Sequence, residues 1–296
     1  MGGRARLSVD DASVELLDAL EDVAHKLEGR WSRFRPHSEV SRLNRAGGAP
    51  VIVSPDTAKL VERAAVAFRA TRGWFDPMML REIEHAGYHT SFEAVGSFGA
   101  EPPGGSLAVV ARPTIAQAEA HPHNGLVQLP SDGAFDPGGL GKGSAADHLV
   151  ESAVHAGADW AIADLGGDIR VDGRELPFGD FTIDVAHPDG GLVCSLSMAS
   201  GAAATSGVHR RRWRGPDGSS RHHLLDPRTG RPADSDLVTA TVLAGEAWWA
   251  EAVATAVVVA GHDEGRSLLD ELGLPAVLVD ADGAVQLCGD VEEYLL

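Results

Sequence analysis

The sequence predicts an α+β fold, a single large domain with a mostly antiparallel sheet and packed helices. Three observations predict it. Helical periodicity governs the first 71 residues. Short alternating segments joined by Gly-rich turns follow from about residue 160, broken by single helices. At 296 residues and 44% apolar content the chain can bury a substantial core. Helices first and strands later is the α+β order.

Residues 4–9 alternate weakly and predict a strand. From Ser13 the spacing of Val14, Leu17, Leu20, Val23, Leu27 and Trp31 predicts a helix, with Ser13 as N-cap and Gly29 near its end. A second helix is predicted from Pro55 to Thr71, because Leu60, Val61, Ala64, Ala67 and Phe68 share one side and Pro55 suits a first turn. A loop-rich excursion is expected around 96–134. A helix from Ser144 to Ala156 follows "GLGKG". Hairpin-like segments come next, with Asp-Gly turns at 189–190 and 282–283. Helices are predicted over Glu246–Val259 and Glu264–Leu272, the last ending at Gly273. The chain shows no low-complexity tail and no short-period repeat.

Composition excludes several function classes. A net charge of −18 repels nucleic acid and anionic membranes, so neither is an expected partner. Two cysteines, Cys194 and Cys288, cannot build a disulfide framework or a Cys-rich zinc site. The longest apolar run, 252–261, is too short to span a bilayer. The N-terminus shows neither a signal-peptide core nor an early lipid-bearing Cys. The expected location is therefore cytoplasmic, or that of a mature form whose leader was removed.

Several stretches carry chemically informative residues. "FDPGGLGKGSAAD" (135–147) places a Gly-rich turn and Lys142 at the start of a helix. Phosphate binding and a plain strand-to-helix turn explain it equally well. It is neither a Walker loop nor a dinucleotide fingerprint, because the spacings differ. In "ADLGGDIRVDG" (163–173), Gly166 and Gly167 beside Asp168 suggest a close backbone approach, with a β-bulge the plainer account. Trp74 and Phe75 in "GWFDPMM" could stack on a planar ring or simply fill a core. Glu251 and Thr255 lie four apart on one helix face and could share a hard cation, although an i,i+4 contact explains them by itself. Glu251 stands in an otherwise apolar helix, where a carboxylate is costly unless paired. Arg210 to Arg212 form a basic patch that could meet a phosphate or an acidic partner, or lie on a solvated loop. "HHLLDPRTGRP" (222–232) puts paired histidines and two arginines around a turn that needs neither.

In order, these segments resemble the ApbE family, the FAD:protein FMN transferases. The opening "MGG", "WSRFRPHSEVSRLN" (31–44), "GWFDP", "AGYHTSF", "DPGGLGKGSAAD", "LGGDIRVDG", "ATSG", "HHLLDPRTGRP" and "WAEAVATA" match successive family blocks across nearly the whole chain. The resemblance implies a T-fold-like ApbE domain over 1–296. It implies that Phe34, Trp74, Phe75 and Asp76 line a flavin site. Asp136 and Lys142 would contact the dinucleotide, with Lys142 near its phosphates. The carbonyl near Gly139, with Glu251 and Thr255, would hold Mg²⁺ or Mn²⁺. His223 would be an acid/base, and Asp226 would order its turn. Glu251 stands where the family usually has Asp; Pro137, Gly141 and Ser144 replace its usual Leu, Ala and Tyr.

The implied reaction moves FMN from FAD to a Thr or Ser hydroxyl of an acceptor flavoprotein and releases AMP. A metal ion would draw charge from the pyrophosphate, with positioning supplying much of the rest. The alternatives are a FAD pyrophosphatase yielding FMN and AMP, and a non-catalytic FAD-binding protein, which the Glu251 departure favours.

Overall fold

The structure, a computed structural model, describes residues 4–88, 112–174, 179–215 and 218–296. Among them are seven α-helices: α1 (Val14–Trp31), α2 (Glu39–Arg45), α3 (Pro55–Ala70), α4 (Leu80–His85), α5 (Gly141–His155), α6 (Ala247–Ala260) and α7 (His262–Leu272). The principal sheet has seven strands: β1 (Ala5–Val9), β2 (Trp160–Leu165), β3 (Ile169–Gly173), β4 (Gly201–Gly207), β5 (Leu237–Ala244), β6 (Ala276–Asp280) and β7 (Val285–Cys288). They stand in that order and every neighbouring pair is antiparallel. The α+β class with a mostly antiparallel sheet is therefore what the sequence forms.

The chain's contacts divide it into two compact units, interleaved in sequence. The first holds residues 29–139 and 208–234; the second holds 3–28, 140–207 and 235–296.

The second unit is built on the seven-stranded sheet. Side chains alternate between its faces, so Ala161 and Ala163 of β2 face one way and Ile162 the other. The alanine face, with Ala202 of β4, packs with Leu20 of α1, Ala146, Leu149, Val150 and Ala153 of α5, and Ala247 of α6. Its small side chains suit close helix packing. The opposite face carries Ile162, Val171, Leu243 and Val277. It packs under a separate hairpin of strands Phe181–Ala186 and Leu192–Met198, through Ile183, Val185, Leu196 and Met198. Helix α6 is apolar around most of its circumference and is correspondingly buried, from Ala247 to Val259 with few exceptions. Helix α7 ends at Gly273, whose φ of 63° is the left-handed C-cap that glycine supplies.

The first unit contains α2, α3 and α4, a three-stranded sheet (residues 51–52, 126–128 and 119–121), and two small hairpins formed by 212–214 with 220–222 and by 225–226 with 231–232. Ser54 caps α3 by accepting from the Thr57 N–H. Met79, Leu80, Ile83, Tyr88, Ala134 and Leu225 form a local core with Trp213 packed against it.

Three differences from expectation have physical reasons. Helix α5 starts at Gly141, three residues before the predicted Ser144. Glycine is a poor helix former, but at Gly143 a Cβ would overlap the Ala247 carbonyl and sit 2.6 Å from the Trp248 nitrogen. The glycine is there because α6 passes against it. Gly166 and Gly167 are not a bulge: with φ of 75° and 97° they form the turn between β2 and β3. Of the loop-rich stretch 96–134, residues 96–111 lie outside the described residues, and 112–134 carry a 3₁₀ turn at 115–117 and the strands 119–121 and 126–128. Residues 89–92 of "AGYHTSF" also lie outside the described residues. Among the described residues, no helix is long and apolar enough to cross a membrane.

The Gly143 contact generates a first prediction. Gly143→Ala forces α5 and α6 apart and lowers unfolding free energy by about 3 kcal/mol, measured by urea denaturation against the unaltered chain.

Candidate functional site

In the second unit, three segments distant in sequence deliver a buried charge cluster. Lys142 stands on the first turn of α5, Asp168 immediately precedes β3, and Glu251 lies on the second turn of α6. The Lys142 ammonium donates to Asp168 Oδ2 and, at 2.6 Å, to Glu251 Oε1. The Gly143 N–H donates to Glu251 Oε2 at 2.8 Å. That N–H is one of the donors a helix start leaves without an intrahelical partner. Burial pushes the Glu251 carboxyl well above the usual carboxylate range, and the Asp168 charge adds to the effect; Lys142 and the Gly143 N–H pull against it. Burial pulls the Lys142 ammonium down, but the two carboxylates together overcome it and hold its pKa above the ordinary lysine value. Lys142 is therefore a fixed positive charge.

The opposite helix start is treated in the same way. Asp147 of α5 accepts from the Ala247 N–H at 2.7 Å and the Trp248 N–H at 3.0 Å, capping α6. Arg170 of β3 approaches the same carboxylate at 3.5 Å. Each helix thus caps the other's N-terminus with a buried carboxylate.

One turn beyond Glu251, the Thr255 hydroxyl is hydrogen-bonded to the Ser206 hydroxyl of β4 at 2.9 Å. Ser144 Oγ is buried without a hydrogen-bond partner among the described residues. A buried hydroxyl left unsatisfied is uncommon and costly.

The donor chemistry here fits the divalent ion that the resemblance implies. Carboxylates and hydroxyls are the hard oxygen ligands that Mg²⁺ and Mn²⁺ take. Among the described residues no group of three or more His, Cys, Asp or Glu stands ready as a metal cage. Mg²⁺ uses one or two carboxylates and completes its shell with water and substrate phosphate.

The first unit holds the other predicted residues. Trp74 lies under the Arg228 guanidinium, whose carbon is 3.5 Å from the ring centroid. Arg228 is held by Asp226, which accepts from its backbone N–H at 2.8 Å and its Nε at 3.2 Å. Asp226 therefore braces the turn at Arg228 and fixes the cation on Trp74. Phe34 keeps 43% of its surface exposed. The Arg33 guanidinium carbon lies 4.3 Å from the Phe34 ring centroid and 4.8 Å from that of Tyr88, while its Nε meets Asp136 Oδ2 at 3.2 Å. Asp136 also accepts from the Gly138 N–H at 3.0 Å, shaping the 3₁₀ turn Pro137–Gly139. Phe75 lies in the core. His223 is half-buried, while the neighbouring His222 is buried, with Nε2 3.1 Å from the Ala233 carbonyl. Burial pulls the His222 pKa down.

Asp76 is strongly perturbed. Burial raises its pKa to about 6, against the opposing pull of the Met78 and Ile115 N–H groups. Arg112 also lowers it, while the Glu82 charge raises it.

The order of residues and the architecture have direct counterparts among known proteins. The sequence profile of the ApbE family matches residues 1–278. The chain belongs to the ApbE family. It is 29% identical to the FAD:protein FMN transferase of Treponema pallidum (strain Nichols), over 96% of this chain and 83% of that protein. It is 28% identical to the Rhodobacter capsulatus protein of the same name, over 86% of this chain but only 48% of the relative. The crystal structure of the ApbE protein of Thermotoga maritima superposes with a TM-score of 0.82 at 26% identity, covering 99% of this chain and 96% of that one. The flavin transferase ApbE of Vibrio cholerae shares the fold, with a TM-score of 0.78 at 21% identity over 100% and 96% of the two chains.

Sequence reasoning assigned no role in the site to Asp168, Arg33 or Asp147. Asp168 had a signal, the adjacent glycine pair, which marks the hairpin turn that delivers it to Lys142. Arg33 and Asp147 had none, because their roles depend on partners 103 and 100 residues away, Asp136 and Ala247.

Asp76 generates a pH prediction. Its folded pKa of about 6 lies above that of an unfolded aspartate, near 4, so the folded state binds the proton more tightly in between. Its contribution is fully present below pH ~4 and is lost as pH rises through ~6. Asp76→Asn should therefore flatten the fall in stability across that window by up to ~3 kcal/mol, measured as urea midpoints at pH 4.5 and 7.

Proposed function

We propose that this chain transfers the FMN part of FAD to a threonine or serine hydroxyl of an acceptor flavoprotein, releasing AMP, with Mg²⁺ or Mn²⁺ as cofactor. Membership of the ApbE family and the names of its relatives support this reading. The observation that carries it in this chain is the buried Lys142–Asp168–Glu251 cluster at the start of α5.

The chain's own residues suit the parts of this chemistry. The first turn of α5 presents a partial positive charge, and Lys142 adds a full one, which together favour an anionic diphosphate. Glu251 and Thr255 would hold the metal ion. A bound divalent ion supplies charge neutralisation on the diphosphate and makes AMP a better leaving group. The acceptor hydroxyl oxygen bonds to the FMN-side phosphorus as the bond from that phosphorus to the bridging oxygen breaks. AMP leaves with that oxygen, and the hydroxyl proton passes to a general base, the role that the family resemblance gives His223. Trp74, held under Arg228, and the half-exposed Phe34 provide planar surfaces of the kind a flavin ring stacks on. The glutamate at position 251 supplies the same carboxylate as aspartate on a longer stem.

The test follows AMP and acceptor mass with FAD, with and without Mg²⁺. AMP together with an FMN-sized mass increment on the acceptor, only when the metal is present, is the expected result. Free FMN with no acceptor labelling would instead mark a pyrophosphatase, and stoichiometric bound FAD with no AMP a storage protein. Glu251→Ala should lower AMP release on the order of 10²–10³-fold, whereas Glu251→Asp should retain metal-dependent release.

A further inference from the structure

The Lys142–Asp168–Glu251 cluster is unbalanced. Two carboxyl groups share one ammonium, and a divalent ion would match both without any help from Lys142. Glu251 already has both oxygens engaged, Oε1 by Lys142 and Oε2 by the Gly143 N–H. The N–H is fixed by the helix backbone. The lysine is on a flexible four-carbon stem, and its side chain keeps 18% exposure while each carboxylate side chain keeps 4%. Of the two partners, Lys142 is the one that can leave. An ammonium and a divalent ion on one carboxylate oxygen would also repel each other strongly in a buried setting.

We infer that Lys142 is the resident counter-ion of the metal-free site, and that a divalent ion binding at Asp168 and Glu251 takes its place and frees the ammonium for the anionic substrate. The inference rests on the metal-dependent reading above and deepens it. It gives Asp168 a defined role, as the second carboxylate that sets affinity for the ion. It also gives a reason for a lysine beside a metal site: the two buried carboxylates are never left without a cation.

The test uses the full chain and MgCl₂ alone, without FAD, by calorimetric titration and by thermal melting in EDTA and in Mg²⁺. Lys142→Met removes the competitor. It should lower the melting temperature in EDTA, restore much of that loss in Mg²⁺, and tighten the Mg²⁺ Kd about tenfold, since ligand charge sets such affinities. Asp168→Asn leaves one carboxylate matched by one ammonium and should weaken the Kd about tenfold; it keeps an acceptor for Lys142 and guards against a Lys142→Met chain that fails to fold. A Kd unchanged or weakened in Lys142→Met, or unchanged in Asp168→Asn, overturns the exchange. If the unaltered chain still releases AMP from FAD in Mg²⁺, such a result leaves the transfer reading standing. If the unaltered chain neither binds Mg²⁺ nor releases AMP, both fall.

Discussion

The reciprocal capping of α5 and α6 is the constraint on which the site depends. Each helix begins with backbone N–H groups that have no partner of their own, and each receives a carboxylate from the other: Glu251 for Gly143, Asp147 for Ala247 and Trp248. In a buried setting those donors are worth satisfying, and the carboxylates are tolerable only because they are satisfied in turn. The arrangement locks the register of the two helices. It also accounts for two buried carboxylates, Glu251 and Asp147, on the facing sides of these helices.

The surrounding sheet is adapted to this lock. The alanines of β2 and β4 keep the helix-facing side low, while the larger Ile162, Val171, Leu243 and Val277 fill the space under the hairpin on the opposite side. Small residues on one face and large ones on the other let one sheet serve two packing distances. Gly143 belongs to the same economy of space, since any side chain there would intrude on the α6 backbone. The chemistry of the cluster is thus a product of close backbone approach as much as of charged residues.

The architecture was largely legible in the sequence, because amphipathic periodicity and turn chemistry are local. The helices at 14–31, 55–70 and 247–260 and the Asp-Gly turn at 282–283 lie within a residue or two of where the spacing puts them. Two classes of feature were not legible. The short helices α2 and α4 have too few turns to show a period. The start of α5 was misplaced because propensity opposes glycine in a helix, and only the passing α6 backbone reveals why it is required. Of the site, Lys142, Glu251 and Thr255 could be nominated from ordered motifs. Asp168 was marked only by its adjacent glycine pair, which signals the hairpin turn but not that a lysine 26 positions earlier will reach it.

The interleaving of the two units has a consequence for how the chain is made. Residues 29–139 leave the ribosome long before 208–234, the hairpin segment that completes their unit. The principal sheet is in the same position, since β1 emerges first yet pairs only with β2, and β4 must wait for β5. Neither unit is a finished object until most of the polypeptide has been translated. Nascent chains of this topology expose incomplete cores and open strand edges for much of synthesis, so their yield in a cell is sensitive to translation speed and to holding chaperones in a way that a tandem arrangement of the same two units would not be.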